Sequence, residues 1–245
     1  MIFLTFFLNI CYPYVVPLVL VQTKTVKSAT TTIYNNIISI SICLFFRSTV
    51  ILDGNRTNLH TTNILVNNAA NVSLKDGRVD ELSLEMWDKI FQSDMRGTFY
   101  ATKCVLPYMQ KNPNGGSIIN IGSMASCGGD LGSTAYACAK AGVDMLTQST
   151  ALQYGKQNIR CNCVRPGLIV TPDNEAAVPQ ALKDVFLSNI MVNRYGCPED
   201  IGHMCVYLGS DESNYVSGQI INVDGGLNSH VSTVAQFREL NPRTW

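Results

Sequence analysis

The amino-acid sequence predicts an α/β fold in which a parallel sheet is covered by helices on both faces. Two observations support this prediction. From Asn63 onward, short apolar runs that are typical of buried strands alternate with longer segments of helical periodicity. The chain has 245 residues, of which 46% are hydrophobic and 15% charged, so it is large and apolar enough to bury a sizeable core. Regular alternation of strand and helix favours parallel strands, because these need long crossover connections.

The elements are predicted in the following order along the chain. The predicted strands are 63–66, 117–121, 159–164 and 218–223, and the predicted helices are 83–109, 133–154 and 198–208. Ser83 suits the N-cap of the first helix, Gly155 ends the second, and Pro198 suits the first turn of the third.

Two connecting segments are predicted between these elements. The stretch from Asp76 to Asp80 is predicted to be an exposed loop. Residues 171–193 are polar and loosely amphipathic, which suggests a mobile lid over a substrate.

The N-terminal part of the chain differs from the rest. Residues 1–21 form an apolar run that is nearly long enough to span a membrane, although one Asn and two Pro interrupt it. Residues 28–46 have a β-like composition without a clear period. Three interpretations stay open: a membrane anchor, a pair of buried strands, or a segment foreign to the following domain, which we favour. We therefore divide the chain into a divergent or mis-assigned hydrophobic segment, 1–62, and a domain that carries the motifs, 63–245.

Charge and cysteine content exclude several classes of function. Eighteen basic residues balance eighteen acidic ones without forming a basic stripe, which argues against nucleic acid as a partner. The nine cysteines include no C-x-x-C pair and no zinc-like cluster, so we predict no metal site. Cys161 and Cys163 alternate within an apolar run, and we expect reduced thiols in the core of a cytoplasmic protein.

The stretch from Ser123 to Lys140 carries the side chains best suited to chemistry. Ser123 follows a predicted strand, and Tyr136 stands four residues before Lys140, so these two share one face of a helix. A phenol beside an ammonium, with a hydroxyl nearby, can act as an acid/base pair on a carbonyl or an alcohol. Taken singly, Ser123 could be a strand-end cap and Lys140 a solvated helix residue.

Five motifs extend this pattern in register over residues 63–229, roughly two thirds of the chain. They are Asn67-Asn68-Ala69-Ala70, Ser123, Tyr136-x-x-x-Lys140, Pro166-Gly167, and Ser217-Gly218-Gln219 with Asp224-Gly225-Gly226. In residue type, order and spacing they resemble the short-chain dehydrogenase/reductases. The resemblance implies a Rossmann-type sheet and hydride transfer between a nicotinamide cofactor, NAD or NADP, and an alcohol or carbonyl substrate. It also implies a homodimer or homotetramer.

The resemblance assigns a role to each site residue. Tyr136 would be the catalytic acid/base, and Ser123 would hold the substrate oxygen beside it. An isolated phenol has a pKa of about 10, which is too high for a base at neutral pH. The positive charge of Lys140 would favour the phenolate, and Lys140 would also bind the nicotinamide ribose. Tyr136 and Lys140 would both contact the cofactor, and the other cofactor-binding residues would be Asn67, Asn68, Ala69, Pro166, Gly167 and Ile169.

The sequence departs from the family pattern in a small way at Asp94 and in a large way upstream of Asn67. Asp94 stands where many members carry a catalytic asparagine; as a catalytic candidate it can also hold water and can pair with Lys140, and we predict activity that is retained but altered. The Gly-rich turn T-G-x-x-x-G-x-G, which lets the backbone approach a pyrophosphate, is not found, so the N-terminal βαβ part is atypical or incomplete. Two alternatives follow: a catalytically impaired relative that acts through subunit association, and a reductase anchored to a membrane through residues 1–21.

Overall fold

The computed structural model has an α/β architecture and describes residues 18–22, 49–53, 64–73, 75–171, 175 and 178–240, the first two ranges by their backbone. The strands of these ranges are β1 (Leu18–Gln22), β2 (Thr49–Asp53), β3 (Ile64–Asn67), β4 (Gly116–Ile121), β5 (Ile159–Pro166) and β6 (Ile220–Val223). The α-helices are α1 (Leu84–Ile90), α2 (Gly97–Met109), α3 (Thr134–Tyr154), α4 (Gln180–Asn189), α5 (Pro198–Gly209) and α6 (Val234–Leu240).

The strands form one sheet in the order β1 to β6. Strands β3, β4, β5 and β6 are parallel, which confirms the predicted parallel sheet over the motif-bearing part of the chain. At the other edge β2 runs antiparallel to β3, and β1 is parallel to β2, so the whole sheet is mixed. The antiparallel pairing has a simple reason: only residues 54–63 separate β2 from β3, whereas a parallel crossover needs a dozen residues or more.

Helices cover both faces of the parallel strands, as predicted. Successive strand residues point to opposite faces, so Leu65 and Ile118 pack against α2 while Val66 and Ile119 pack against α5. All four of these side chains are fully buried. Both faces are therefore largely apolar, and a ligand site is expected where the strands end.

The predicted first helix is divided in the structure. Ser83 is its N-cap, as expected, and the hydroxyl accepts a hydrogen bond from Met86 N. Between α1 and α2 the segment Phe91–Arg96 forms a π-helical turn, in which the N–H of Gly97 donates to Gln92 O. The helical periodicity of the sequence continues smoothly across this turn, so the widened turn was not predictable from it.

Most of the N-terminal segment, 1–62, lies outside the described residues. Of the predicted membrane anchor, 1–21, only residues 18–21 are described, and they belong to β1. Across the described ranges, no helix combines the length and the apolar character that crossing a membrane requires.

Among the described cysteines three are buried, three are exposed and Cys197 is half-buried, which corrects the expectation of core thiols for the exposed ones. Cys161, Cys163 and Cys205 are fully buried, whereas Cys104, Cys127 and Cys138 are exposed. Burial raises the pKa of the Cys161 thiol to about 12 and that of the Cys205 thiol to about 12 as well. Burial also raises the pKa of Cys163, and the neighbouring Asp144 carboxylate raises it further.

These differences predict the pattern of thiol modification. A raised pKa keeps a thiol protonated at neutral pH, and the thiolate is the reactive form. A maleimide is therefore expected to modify the exposed group in the folded protein and the buried group only after denaturation. Peptide mass mapping with and without urea checks this result. Equal labelling rates for Cys161 and Cys104 in the folded protein would contradict it.

Candidate active site

The predicted site residues follow the carboxyl ends of neighbouring parallel strands. Asn67 ends β3, Ser123 follows β4, and Pro166 ends β5. Because these strands are parallel and adjacent, their carboxyl ends form one edge of the sheet, where ligands of open α/β folds bind.

The ammonium group of Lys140 lies at the centre of this site. Its Nζ donates a hydrogen bond to Ile121 O (2.9 Å) and lies 3.8 Å from Asp94 Oδ2. The same atom lies 5.5 Å from the centroid of the Tyr136 ring. Lys140 is 2% exposed and Asp94 is fully buried. A buried ammonium requires such compensation, so this lysine is not the solvated helix residue considered above.

Asp94 reaches Lys140 from the π-helical turn. Its Oδ1 accepts hydrogen bonds from Asn71 N (2.7 Å) and from the hydroxyl of Ser93. The hydroxyl of Thr98 donates to the backbone oxygen of Asp94 (2.7 Å), within the turn where the helix changes its winding. The ion pair that the sequence suggested between Asp94 and Lys140 is therefore present, and a role in catalysis stays a prediction.

Ser123 has the capping role that its position suggested, together with a hydroxyl suited to substrate binding. It is the N-cap of the short 3₁₀ turn Met124–Cys127, and its Oγ accepts a hydrogen bond from Ala125 N (3.1 Å). A hydroxyl that accepts from the backbone still has its own O–H to donate. The two explanations of this serine are thus compatible.

Tyr136 lies in the first turn of α3, and its ring packs against the apolar cluster that includes Ile90 and Ala139. Its backbone N–H donates to Asp76 Oδ2 (2.9 Å).

Asp76 is 8% exposed, so the prediction of an exposed loop was wrong at this residue. The physical reason is that the carboxylate meets the unpaired N–H groups of a helix N-terminus. No local pattern connects Asp76 to a helix that begins almost sixty residues later.

The side chain of Asn67 takes part in an internal polar network. Its Nδ2 donates to Asn120 Oδ1 (2.8 Å) and to Thr102 Oγ1 (3.2 Å), and Asn120 Nδ2 donates in turn to Thr147 Oγ1 (2.8 Å). This amide therefore ties β3 to β4 and α2. Asn68 and Ala69, which follow it, are partly exposed beyond the strand.

The other predicted cofactor-binding segment, from Pro166 to Ile169, is fixed against its neighbours. Gly167 N donates to Val223 O (3.1 Å), and a Cβ at Gly167 would lie 2.8 Å from Asp224 Cα, so a larger residue would separate the ends of β5 and β6. Ile169 forms a parallel β-bridge with Gly196. These contacts place a rigid turn at the carboxyl edge of the sheet.

The donor set at this edge fits the nicotinamide end of a dinucleotide cofactor. It combines the Ser123 hydroxyl, the Tyr136 phenol and the buried Lys140 ammonium, which can bind a ribose hydroxyl and a reacting oxygen. For the pyrophosphate end, the sequence has no Gly-rich turn. The described strand beside β3 cannot supply one at this edge, because β2 is antiparallel and ends at the opposite side. Within the described ranges no cluster of His, Cys, Asp or Glu suits a metal ion.

Comparison with known proteins identifies the family of the chain. Residues 49–228 match the family described as enoyl-(acyl carrier protein) reductase. The 3-oxoacyl-(acyl-carrier-protein) reductase FabG of Thermotoga maritima is 41% identical over 164 residues, which cover 67% of this chain and 65% of that protein. The (3R)-3-hydroxyacyl-CoA dehydrogenase of Homo sapiens is 40% identical over 152 residues, which cover 60% of this chain and 58% of that protein.

A solved structure is similar as well. It is an NADP-bound protein of Agrobacterium tumefaciens, provisionally assigned as a 2-deoxy-D-gluconate 3-dehydrogenase. Its TM-score is 0.65 at 32% identity, with 69% of this chain and 68% of that chain covered. The chain belongs to the short-chain dehydrogenase/reductase family. It spans about two thirds of the length of the curated relatives that it matches.

Proposed function

We propose that this protein is an NAD(P)-dependent oxidoreductase that transfers a hydride between the nicotinamide and a small alcohol or carbonyl compound. One observation carries the proposal: the buried ammonium of Lys140 lies 3.8 Å from the Asp94 carboxylate and 5.5 Å from the centroid of the Tyr136 ring. Burying an ammonium and a carboxylate is unfavourable unless the two charges compensate each other. A buried pair of this kind at the carboxyl ends of parallel strands suits a role in proton transfer. The alternative of a non-catalytic relative gains no support from the similar proteins, which are named as dehydrogenases and reductases.

The proposed chemistry assigns one task to each side chain. The bound nicotinamide supplies or accepts the hydride at the substrate carbon. Tyr136 gives its phenolic proton to the carbonyl oxygen in reduction, or takes the hydroxyl proton in oxidation. Ser123 donates a hydrogen bond to the same oxygen and holds it beside the phenol. Lys140 favours the phenolate by its charge, while Asp94 partly offsets that charge.

The cofactor contacts and partners are part of the same proposal. Lys140 would bind the nicotinamide ribose, and the segments after β3 and β5 would line the cofactor. Large exposed side chains on α2 and α3 support a homodimer or homotetramer formed through these helices; they are Phe99, Tyr100, Tyr108, Met145 and Leu152. Three unpaired core thiols are consistent with a cytoplasmic location.

Titration of the purified protein with NADH and NADPH tests the cofactor. The fluorescence of the reduced nicotinamide should change on binding, with half-saturation below about 1 mM, the upper end of usual KM values. A Lys140→Ala variant should bind more weakly, because it lacks the ribose contact. No binding of either cofactor to the wild-type protein would overturn the proposed function.

Asp94→Asn is expected to change the pH dependence of alcohol oxidation. Removing the carboxylate charge leaves the buried Lys140 ammonium without its compensating partner, and this ammonium lies beside the Tyr136 ring. The kcat/KM profile against pH measures this change. Asp88→Asn, which removes an exposed charge from α1, is the matched control. An unchanged profile for Asp94→Asn would remove Asp94 from the mechanism.

A further inference from the structure

The loop that follows β3 reaches across the site to the first turn of α3. Its Asp76 carboxylate accepts a hydrogen bond from Ala135 N at Oδ1 (3.1 Å) and another from Tyr136 N at Oδ2 (2.9 Å). Ser133, at the N-cap position, makes no side-chain capping bond of its own. Asp76 therefore supplies, from a distant part of the chain, the cap that the helix start lacks.

Further contacts hold this loop in place. The hydroxyl of Thr134 donates to Gly77 O (2.6 Å), so loop and helix are bonded in both directions. At the other end of the loop, Asn71 N donates to Asp94 Oδ1 (2.7 Å). One loop thus contacts both the carboxylate beside Lys140 and the turn that carries Tyr136. The negative charge of Asp76 also suits the positive end of the helix dipole.

We propose that Asp76 is a positioning residue, which fixes the first turn of α3 and thereby the phenol of Tyr136 relative to Lys140. This inference rests on the proposed function. The N–H groups of the first helical turn have no partners within the helix, so this turn opens first when a cap is lost. Lys140 lies one turn further on and is held separately by Ile121 O. Loss of Asp76 therefore moves Tyr136 away from an ammonium that stays in place.

Turnover of Asp76→Ala and Asp76→Asn tests the role. For Asp76→Ala, kcat should fall by about 10- to 100-fold, the range expected for a misplaced catalytic group, while KM for the cofactor stays within about twofold. Asp76→Asn keeps one acceptor oxygen and should lie between this variant and the wild type. Asp80→Ala is the matched control, because its carboxylate lies in the same loop and pairs with Arg78 at the surface.

Hydrogen exchange provides a readout that does not depend on activity. In both Asp76 variants, the amides of residues 133–137 should exchange faster, and those of residues 147–154 should keep their wild-type rates. Uniformly faster exchange would indicate general destabilisation and overturn the proposal. Local exchange that rises while kcat stays unchanged would overturn the positioning role. If the wild-type protein turns over no substrate, the proposed function fails, and exchange at Tyr136 still decides whether Asp76 fixes this turn.

Discussion

Tyr136→Phe is expected to lower kcat by about 10²- to 10⁴-fold, the usual contribution of a general acid/base. The substitution removes only the phenolic oxygen, and the phenylalanine ring can keep the packing against Ile90 and Ala139. Cofactor binding and thermal stability should therefore stay close to the wild type. Turnover in both directions, cofactor titration and a thermal melt measure the three quantities.

The control for this substitution is Tyr215→Phe. Tyr215 is fully exposed, so its substitution removes the same hydroxyl without affecting the site. A Tyr136→Phe variant that keeps more than about a tenth of the wild-type kcat would contradict the acid/base role. Loss of cofactor binding in this variant would show instead that the phenol acts in binding.

Lys140→Met is expected to lower the free energy of unfolding by about 3–5 kcal/mol and to lower turnover as well. The destabilisation arises because the buried Asp94 carboxylate loses its cationic partner. Urea denaturation measures the first effect and steady-state kinetics the second. Replacing a lysine that only contacted the cofactor would leave the free energy of unfolding nearly unchanged, so the size of the loss distinguishes the two roles.

A double variant separates the two effects of Lys140. Lys140→Met combined with Asp94→Asn removes both charges and should recover most of the stability lost by Lys140→Met. It should not recover turnover, because no ammonium favours the phenolate. If the double variant is as unstable as Lys140→Met alone, the ion pair is not what stabilises this part of the fold.

The parts of the site that follow from local pattern were predictable from the sequence. The spacing of Tyr136 and Lys140 indicates a shared helix face, and the apolar run before Ser123 indicates a strand end. The structure brings the side chains of Tyr136 and Lys140 together and places Asp94 beside Lys140. Asp94 was singled out by the family resemblance and not by a local pattern.

The remaining features depend on contacts between distant segments. Asp76 reads as part of a polar turn, and only the packed fold brings it to the N-terminus of α3. The π-helical turn has no signature in the apolar periodicity, since the residues on both sides continue one helical pattern. The antiparallel direction of β2 reflects the length of its connection to β3 rather than its composition.

The π-helical turn at Phe91–Arg96 also makes the site sensitive to chain length. Such a turn holds one residue more than regular α-helical winding would, and each residue of an α-helix advances its direction by about 100°. An extra residue in a regular helix would rotate α2 against α1 by about this angle, and the widened turn absorbs the extra residue instead. Deleting a single residue here would therefore leave α1 and α2 in nearly the same relative orientation, but it would remove the widened turn from which Asp94 contacts Lys140. The length of this segment thus decides the position of the Asp94 carboxylate rather than the packing of the two helices.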